Sequence, residues 1–160
     1  FCLEESLQQE RSFPPSFSSA HRGTSMELKE WTRHHITFKD AMKKQIQRIE
    51  ETAYGYIVHE KKGTKKYYVV KHIEESFQQL RTLTGEKIYL VTPNSNRNIQ
   101  ATLAAWKELS GHKDLTIIYA NTRTNQSWLL HPHTHANITE EQQLAPGLQA
   151  LHESIAPVDY

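Results

Sequence analysis

The sequence predicts an α/β (or α+β) domain: a small mixed sheet of four to five strands with helices packed on it, in the order αββαβαββα. Three observations carry this prediction. Lys87–Thr92 and Leu115–Ala120 are β-rich, and between them Ile99, Leu103, Trp106 and Leu109 recur at helical spacing. Strand, helix and strand in that order give two neighbouring parallel strands joined by a crossover. Upstream, two further β-rich runs flank a short glycine-containing connection and read as an N-terminal hairpin. A hairpin and a parallel crossover in one chain require a mixed sheet. Small Rossmann-like domains and restriction-nuclease-like cores share this order, so order alone does not separate them.

In chain order, residues 1–25 stand apart. Ser12–Ala20 is rich in Pro and Ser and has no period, so residues 1–25 are expected to form a disordered extension ahead of one domain, 26–160. Met26 is the expected true start. Helix one is expected over Glu27–Glu51, because Leu28, Trp31, His35, Phe38, Met42, Ile46 and Ile49 recur at three and four. His35 lies on that apolar stripe and reads as a core histidine. Tyr54–Glu60 and Lys65–Val70 are the hairpin strands, joined by Lys61–Thr64. A helix over Ile73–Leu83 buries Ile73, Phe77 and Leu80, with Gly85 as its stop. In the central helix Trp106 is expected to be buried. Ser127–His131 reads as a last short strand. A helical region follows, with a Thr139–Gln142 capping box and an interruption at Pro146.

Composition bounds the function. A chain of 160 residues buries a core without disulfides or metal. Mean hydropathy is −0.70, and no apolar run approaches the roughly 20 residues of a membrane span. Cys2 is the single cysteine, so an internal disulfide scaffold is excluded. With no apolar leader at the N-terminus, a soluble cytoplasmic domain is expected, without a membrane partner. Net charge is only +1, yet residues 29–71 carry a local +6 and residues 72–160 a local −3.

Four constellations carry the functional reading. Lys61, Lys62, Lys65, Lys66 and Lys71 with Tyr67 and Tyr68 crowd the hairpin. Lysines bind phosphate, and exposed tyrosines stack on unpaired bases. The loop Pro93–Asn98 follows a parallel strand, where helix N-termini present free N–H groups. There Asn94, Ser95 or Asn96 could cap the helix and Arg97 could hold an anion. His131, His133 and His135 alternate, so an extended segment would point all three imidazoles one way towards a divalent transition metal. Glu60-Lys61-Lys62 matches the short Glu-x-Lys pattern of restriction-type nucleases. Such sites need an earlier acid on an adjoining strand, and here Glu50 and Glu51 are expected to end a helix. No Walker loop, dinucleotide fingerprint or nucleophile elbow is present.

The first reading is therefore an accessory or binding module that contacts nucleic acid or another polyanion through the basic hairpin. The alternatives are a metal-dependent hydrolase or nuclease using the three histidines, and a protein-interaction module using the apolar face of helix one. One prediction follows from composition alone. A chain starting at Met26 should unfold at the same temperature as the whole chain, because residues 1–25 cannot offset their own ordering entropy. A clear drop in the thermal midpoint would refute this.

Overall fold

A computed structural model describes residues 27–83 and 86–158. The N-terminal extension, Met26 and the expected stop at Gly85 lie outside the described residues. Helix α1 covers Leu28–Asp40 and ends eleven residues earlier than the sequence suggests. The Asp40 carboxylate ends it by accepting hydrogen bonds from the backbone N–H groups of Gln45 (2.7 Å) and Ile46 (3.1 Å). That folds the chain back through Lys44, which takes a left-handed φ of 51°. Residues Ile46–Glu51 then form strand β1. The expected helical stripe misled here for a physical reason. Ile46 and Ile49 are three apart, which in a regular strand would put them on opposite faces. A bulge between Ile46 and Arg48 shifts the register by one, so both pack towards α1.

Strands β2 (Gly55–Glu60), β3 (Gly63–Val69), β4 (Lys87–Pro93), β5 (Leu115–Asn121) and β6 (Gln126–Leu130) complete a six-stranded sheet in the order β1-β2-β3-β4-β5-β6. The class is α/β as expected, but there are six strands, not four or five. The hairpin is part of a three-strand meander, and there are two parallel pairs, β3–β4 and β4–β5. The β2–β3 turn is tight because Gly63 takes φ +150°, a conformation that side chains disfavour.

A 3-10 turn, Ile73–Ser76, leads into α2, Phe77–Thr82, and forms the first crossover. The second crossover breaks at Ala105 into α3, Asn96–Ala104, and α4, Trp106–Ser110. That break turns Trp106 partly out, so it lines the core's margin while Leu109 is buried. The fully buried tryptophans are Trp31 and Trp128. Helix α5 spans Pro132–Ile138, and α6 spans Glu141–His152 and runs through Pro146 without interruption. The N-cap of α6 is Glu140, without the side-chain cap expected from Thr139.

The two sheet faces differ. On one, Ile88, Leu90, Ile117, Tyr119, Trp128 and Leu130 pack against the crossover helices and α6. On the other, Tyr56, Val58, Tyr67, Val91 and Ile118 pack under Trp31 and Ile36 of α1. The apolar stripe of α1 is thus covered by the sheet. Alternation along the meander aims Arg48, Glu50, Ile57, His59, Lys66 and Tyr68 at the face opposite α1, and none of the six is buried. No helix among the described residues is long and apolar enough to cross a membrane.

His35 is a core residue, as its place on the stripe suggested: it is 5% exposed and stacks on Trp31 at 4.8 Å. Burial, reinforced by Lys39, pushes its imidazole down to about 3. The unfolded chain, with an ordinary value of 6.5, binds a proton that the folded chain refuses. Stability should therefore fall as the pH drops from 6.5 towards 3, by up to about 1.4 kcal/mol per pH unit. Urea unfolding at pH 7 and pH 4.5 should show a smaller loss for His35→Phe than for the wild type; equal losses would overturn the assignment.

Candidate nucleic-acid interface

The hairpin end of the sheet gathers basic residues from segments far apart in sequence. The β2–β3 turn supplies Lys61 and Lys62. The turn after α1 supplies Lys43 and Lys44, and it is tied to the hairpin by a Lys61 N–H to Gln45 O bond of 3.0 Å. Lys87 opens β4. Lys113 precedes β5, where Ile88 N–H donates to Asp114 O at 3.0 Å. These six lysines are exposed, and none pairs with an acid among the described residues. The other two hairpin lysines are engaged. Lys65 Nζ lies 3.2 Å from Glu60 and Lys66 Nζ 3.0 Å from Glu86. Both pairs border a shallow groove of about 210 Å³ that Lys62 and Lys87 also line. Asp114 is the exposed acid of this edge.

The two tyrosines of the hairpin part company. Tyr67 points under α1, is 9% exposed and stacks on Tyr89 at 4.6 Å. Burial raises its phenol well above the ordinary range. It offers no face to a ligand. Tyr68 points the other way and is half-buried at the edge of the crossover core.

Asn94, Asn96 and Arg97 lie at the opposite end of β4, roughly 20 Å from the hairpin by strand length. They do not join the basic edge. Asn94 is fully buried, and all four hydrogen-bonding positions of its amide are used. Its Oδ1 accepts from Trp128 Nε1 (2.8 Å) and His152 Nδ1 (3.0 Å). Its Nδ2 donates to the carbonyls of His152 (3.0 Å) and Ala156 (3.4 Å). Since an indole N–H only donates, this fixes both the amide orientation and the His152 tautomer, with the proton on Nδ1. Burial holds His152 below its ordinary value. The segment after α6 thus sits over the carboxyl ends of β4 and β5, where open α/β sheets commonly take ligands. Ser95, the N-cap of α3, accepts from Asn98 N–H at 3.2 Å. Asn98, also buried, fastens the start of the 3-10 turn through Ile73 N–H (2.9 Å) and bonds Thr92 Oγ1 (2.9 Å). Arg97 pairs with Glu74 at 2.7 Å, and Asn96 is exposed.

The three histidines of residues 131–135 are not on an extended segment. Pro132 starts a helix at its first position, which its fixed φ favours. Only His131 keeps the extended backbone expected of a residue before proline. Helical spacing sends the rings to different partners: His131 Nδ1 to Thr116 Oγ1 at 3.0 Å, and His133 Nδ1, donating, to Ser110 O at 3.0 Å. His135 meets Trp106 edge to face at 5.7 Å, and burial lowers its pKa. Among the described residues no three His, Cys, Asp or Glu side chains are placed to hold a metal ion.

Glu50 and Glu51 end a strand, not a helix, and that strand does adjoin β2. The register nevertheless separates them from Glu60. Glu51 faces Tyr56, whereas Glu60 faces Ile46 at the other end. Glu50 lies 3.2 Å from His59, and Glu51 lies 2.9 Å from Lys29. Sequence reading missed Lys43, Lys44, Lys87 and Lys113 as neighbours of the hairpin, because only strand pairing brings them together. Comparison with protein-family models, with curated proteins and with solved structures gives no match.

The Asn94 network generates a stability prediction. Asn94→Ala leaves the Trp128 and His152 ring donors and the His152 carbonyl without this partner in the interior, while the Ala156 carbonyl keeps Asn121 Nδ2 (3.1 Å), and should cost about 3 kcal/mol or more. Arg97→Gln removes only an exposed pair and should cost under about 1 kcal/mol. Denaturant unfolding compares the two; a similar small loss for both would refute the structural role of Asn94.

Proposed function

We propose that this chain is a binding module for nucleic acid or a like polyanion, held by phosphate contacts along the hairpin edge. One observation carries the reading: six exposed lysines from four separate turns fall along one edge without acidic partners among the described residues. Like charges so arranged repel one another, and a row of phosphates relieves that repulsion while releasing counterions. The near-neutral total charge does not weaken the case. A long-range field is screened within about 8 Å at physiological salt, so the local row matters more than the sum.

The test uses the free lysines only. Lys65 and Lys66 are left in place because their removal would strand Glu60 and Glu86. Changing Lys43, Lys44, Lys61, Lys62 and Lys87 together to Gln should weaken binding of RNA and DNA oligonucleotides. It should also flatten the dependence of log affinity on log salt by about 0.7 to 0.9 for each phosphate that the variant no longer neutralises. His131, His133 and His135 changed to Ala should leave both quantities nearly intact. Fluorescence anisotropy at two salt concentrations reads this. Absence of binding at low salt, or an unchanged slope in the lysine variant, would sink the proposal.

A further inference from the structure

The open face of the meander carries a second feature beside the basic edge. Between the β1–β2 turn and β3 lies a cleft of about 150 Å³, lined among others by Tyr54, Ile57, Lys66 and Tyr68. Tyr54 is 58% exposed, an unusual cost for a large ring, on a surface that no helix covers among the described residues. Gly55 sits directly across from Tyr68, and a Cβ there would meet the Tyr67 carbonyl at 2.0 Å. That close approach keeps the strand beside the Tyr68 ring free of a side chain. The face around the cleft is polar and leads to the lysine edge. Lys66 lies one pleat from Tyr68 towards the hairpin, and His59 and Arg48 follow on the neighbouring strands, with Arg48 Nη2 3.1 Å from His59 Nε2. The acids beside these groups are engaged: Glu86 lies 3.0 Å from Lys66, and Glu50 lies 3.2 Å from His59 and 3.9 Å from Arg48. From Tyr68 to the hairpin turn at Gly63 is five residues, roughly 16 Å of strand.

We infer that the ligand is single-stranded, with bases stacking on Tyr54 and Tyr68 and its backbone running over Lys66 to the lysine edge. The inference rests on the polyanion reading above and adds the ligand's class. Duplex hides the faces of its bases in its own stack and could use only the phosphate contacts. A single strand adds the aromatic contact, which is tolerant of sequence because every base has a π-face. The exposed lysine edge to which this face leads supplies the charge complementarity that selects this occupant over an apolar helix of a protein partner. The cleft is small, and among the described residues Ile57 is the one aliphatic side chain that lines it.

The experiment measures binding of single-stranded and duplex oligonucleotides of about ten residues, a length typical of single-strand-binding surfaces. It also uses a sulfated polysaccharide, which has charge but no bases. The wild type should bind the single strand most tightly. Tyr54→Ala should weaken it about 5- to 100-fold without changing the salt slope, since every phosphate-binding lysine stays in place. Tyr54→Phe, which keeps the ring, should restore binding. Tyr54 touches no core, so its variants test the cleft without risk to folding. Tyr68→Leu, which keeps apolar volume at the core's margin, should behave like Tyr54→Ala. Equal affinity for duplex or for the polysaccharide, or a Tyr54→Ala variant that binds as the wild type does, would overturn the inference. Either would leave the polyanion reading intact, because the lysine variant tests that separately. Wild-type self-association that Tyr54→Ala abolishes would overturn it in favour of a second copy as the occupant. No binding of any polyanion at low salt would remove both.

Discussion

The amide of Asn94 is the point on which the architecture converges. Its side chain joins the end of β4 to Trp128 on β6 and to His152 and Ala156 at the chain's end. Its backbone N–H bonds Ala120 on β5 at 2.8 Å, and its carbonyl accepts from Val158 at 2.9 Å. A buried amide with every position filled is stable only if all its partners arrive together, so it specifies one arrangement of β4, β5, β6 and α6. Trp128 is held in turn by its stack on Tyr119 at 4.2 Å, and Tyr119 by its hydroxyl contact with Thr102 on α3. The polar network and the aromatic layer are one structure. Asn98 performs the same service one turn later, closing the first crossover against β4.

This lock has a consequence for function. The carboxyl ends of β4 and β5 are occupied by the chain's own C-terminal segment, which Asn94 holds, while Ser95 caps α3 and Asn98 fastens the first crossover. The opposite end of the sheet is built differently. Its lysines are exposed and its carboxylates few. Two of these, Glu60 and Glu86, are neutralised by Lys65 and Lys66. A third, on Asp40, is turned inward to the backbone of Gln45 and Ile46. The sheet is therefore polarised, with a structural end and a charged end, and the face that no helix covers among the described residues leads away from the charged one.

Much of the architecture was legible in the sequence. The crossover from Lys87 to Ala120 needed only the change from period two to period 3.6 and back. The hairpin needed only its glycine. His35 could be placed in the core from its stripe. The errors share a cause: each came from a local device that changes a period. The bulge in β1 made two strand isoleucines look helical. The break at Ala105 turned one helix into two and moved Trp106 to the margin. Proline at residue 132, taken as the mark of an extended segment, instead opened a helix and scattered three histidines that alternate in sequence. The loop at Pro93–Asn98 was located correctly, but nothing in its residues distinguishes an asparagine that caps a helix or faces a ligand from one that fastens the C-terminal segment.

What the sequence determined by itself is the set of segments and their amphipathic faces, because those follow from side-chain spacing along a regular backbone. It also fixed the excess of positive charge in residues 29–71. Only the tertiary structure decided which charges are free and where they meet. Lys65 and Lys66 look no different from Lys61 and Lys62 in the chain, yet strand register gives the first two a carboxylate within 3.2 Å. Register likewise sent Tyr67 into the core under α1 and left Tyr68 facing the open side. It brought Lys43, Lys44, Lys87 and Lys113 to the hairpin from positions up to 70 residues apart. Pairing between distant strands is set by the best joint burial of both faces, a property of the whole sheet that no window of sequence contains.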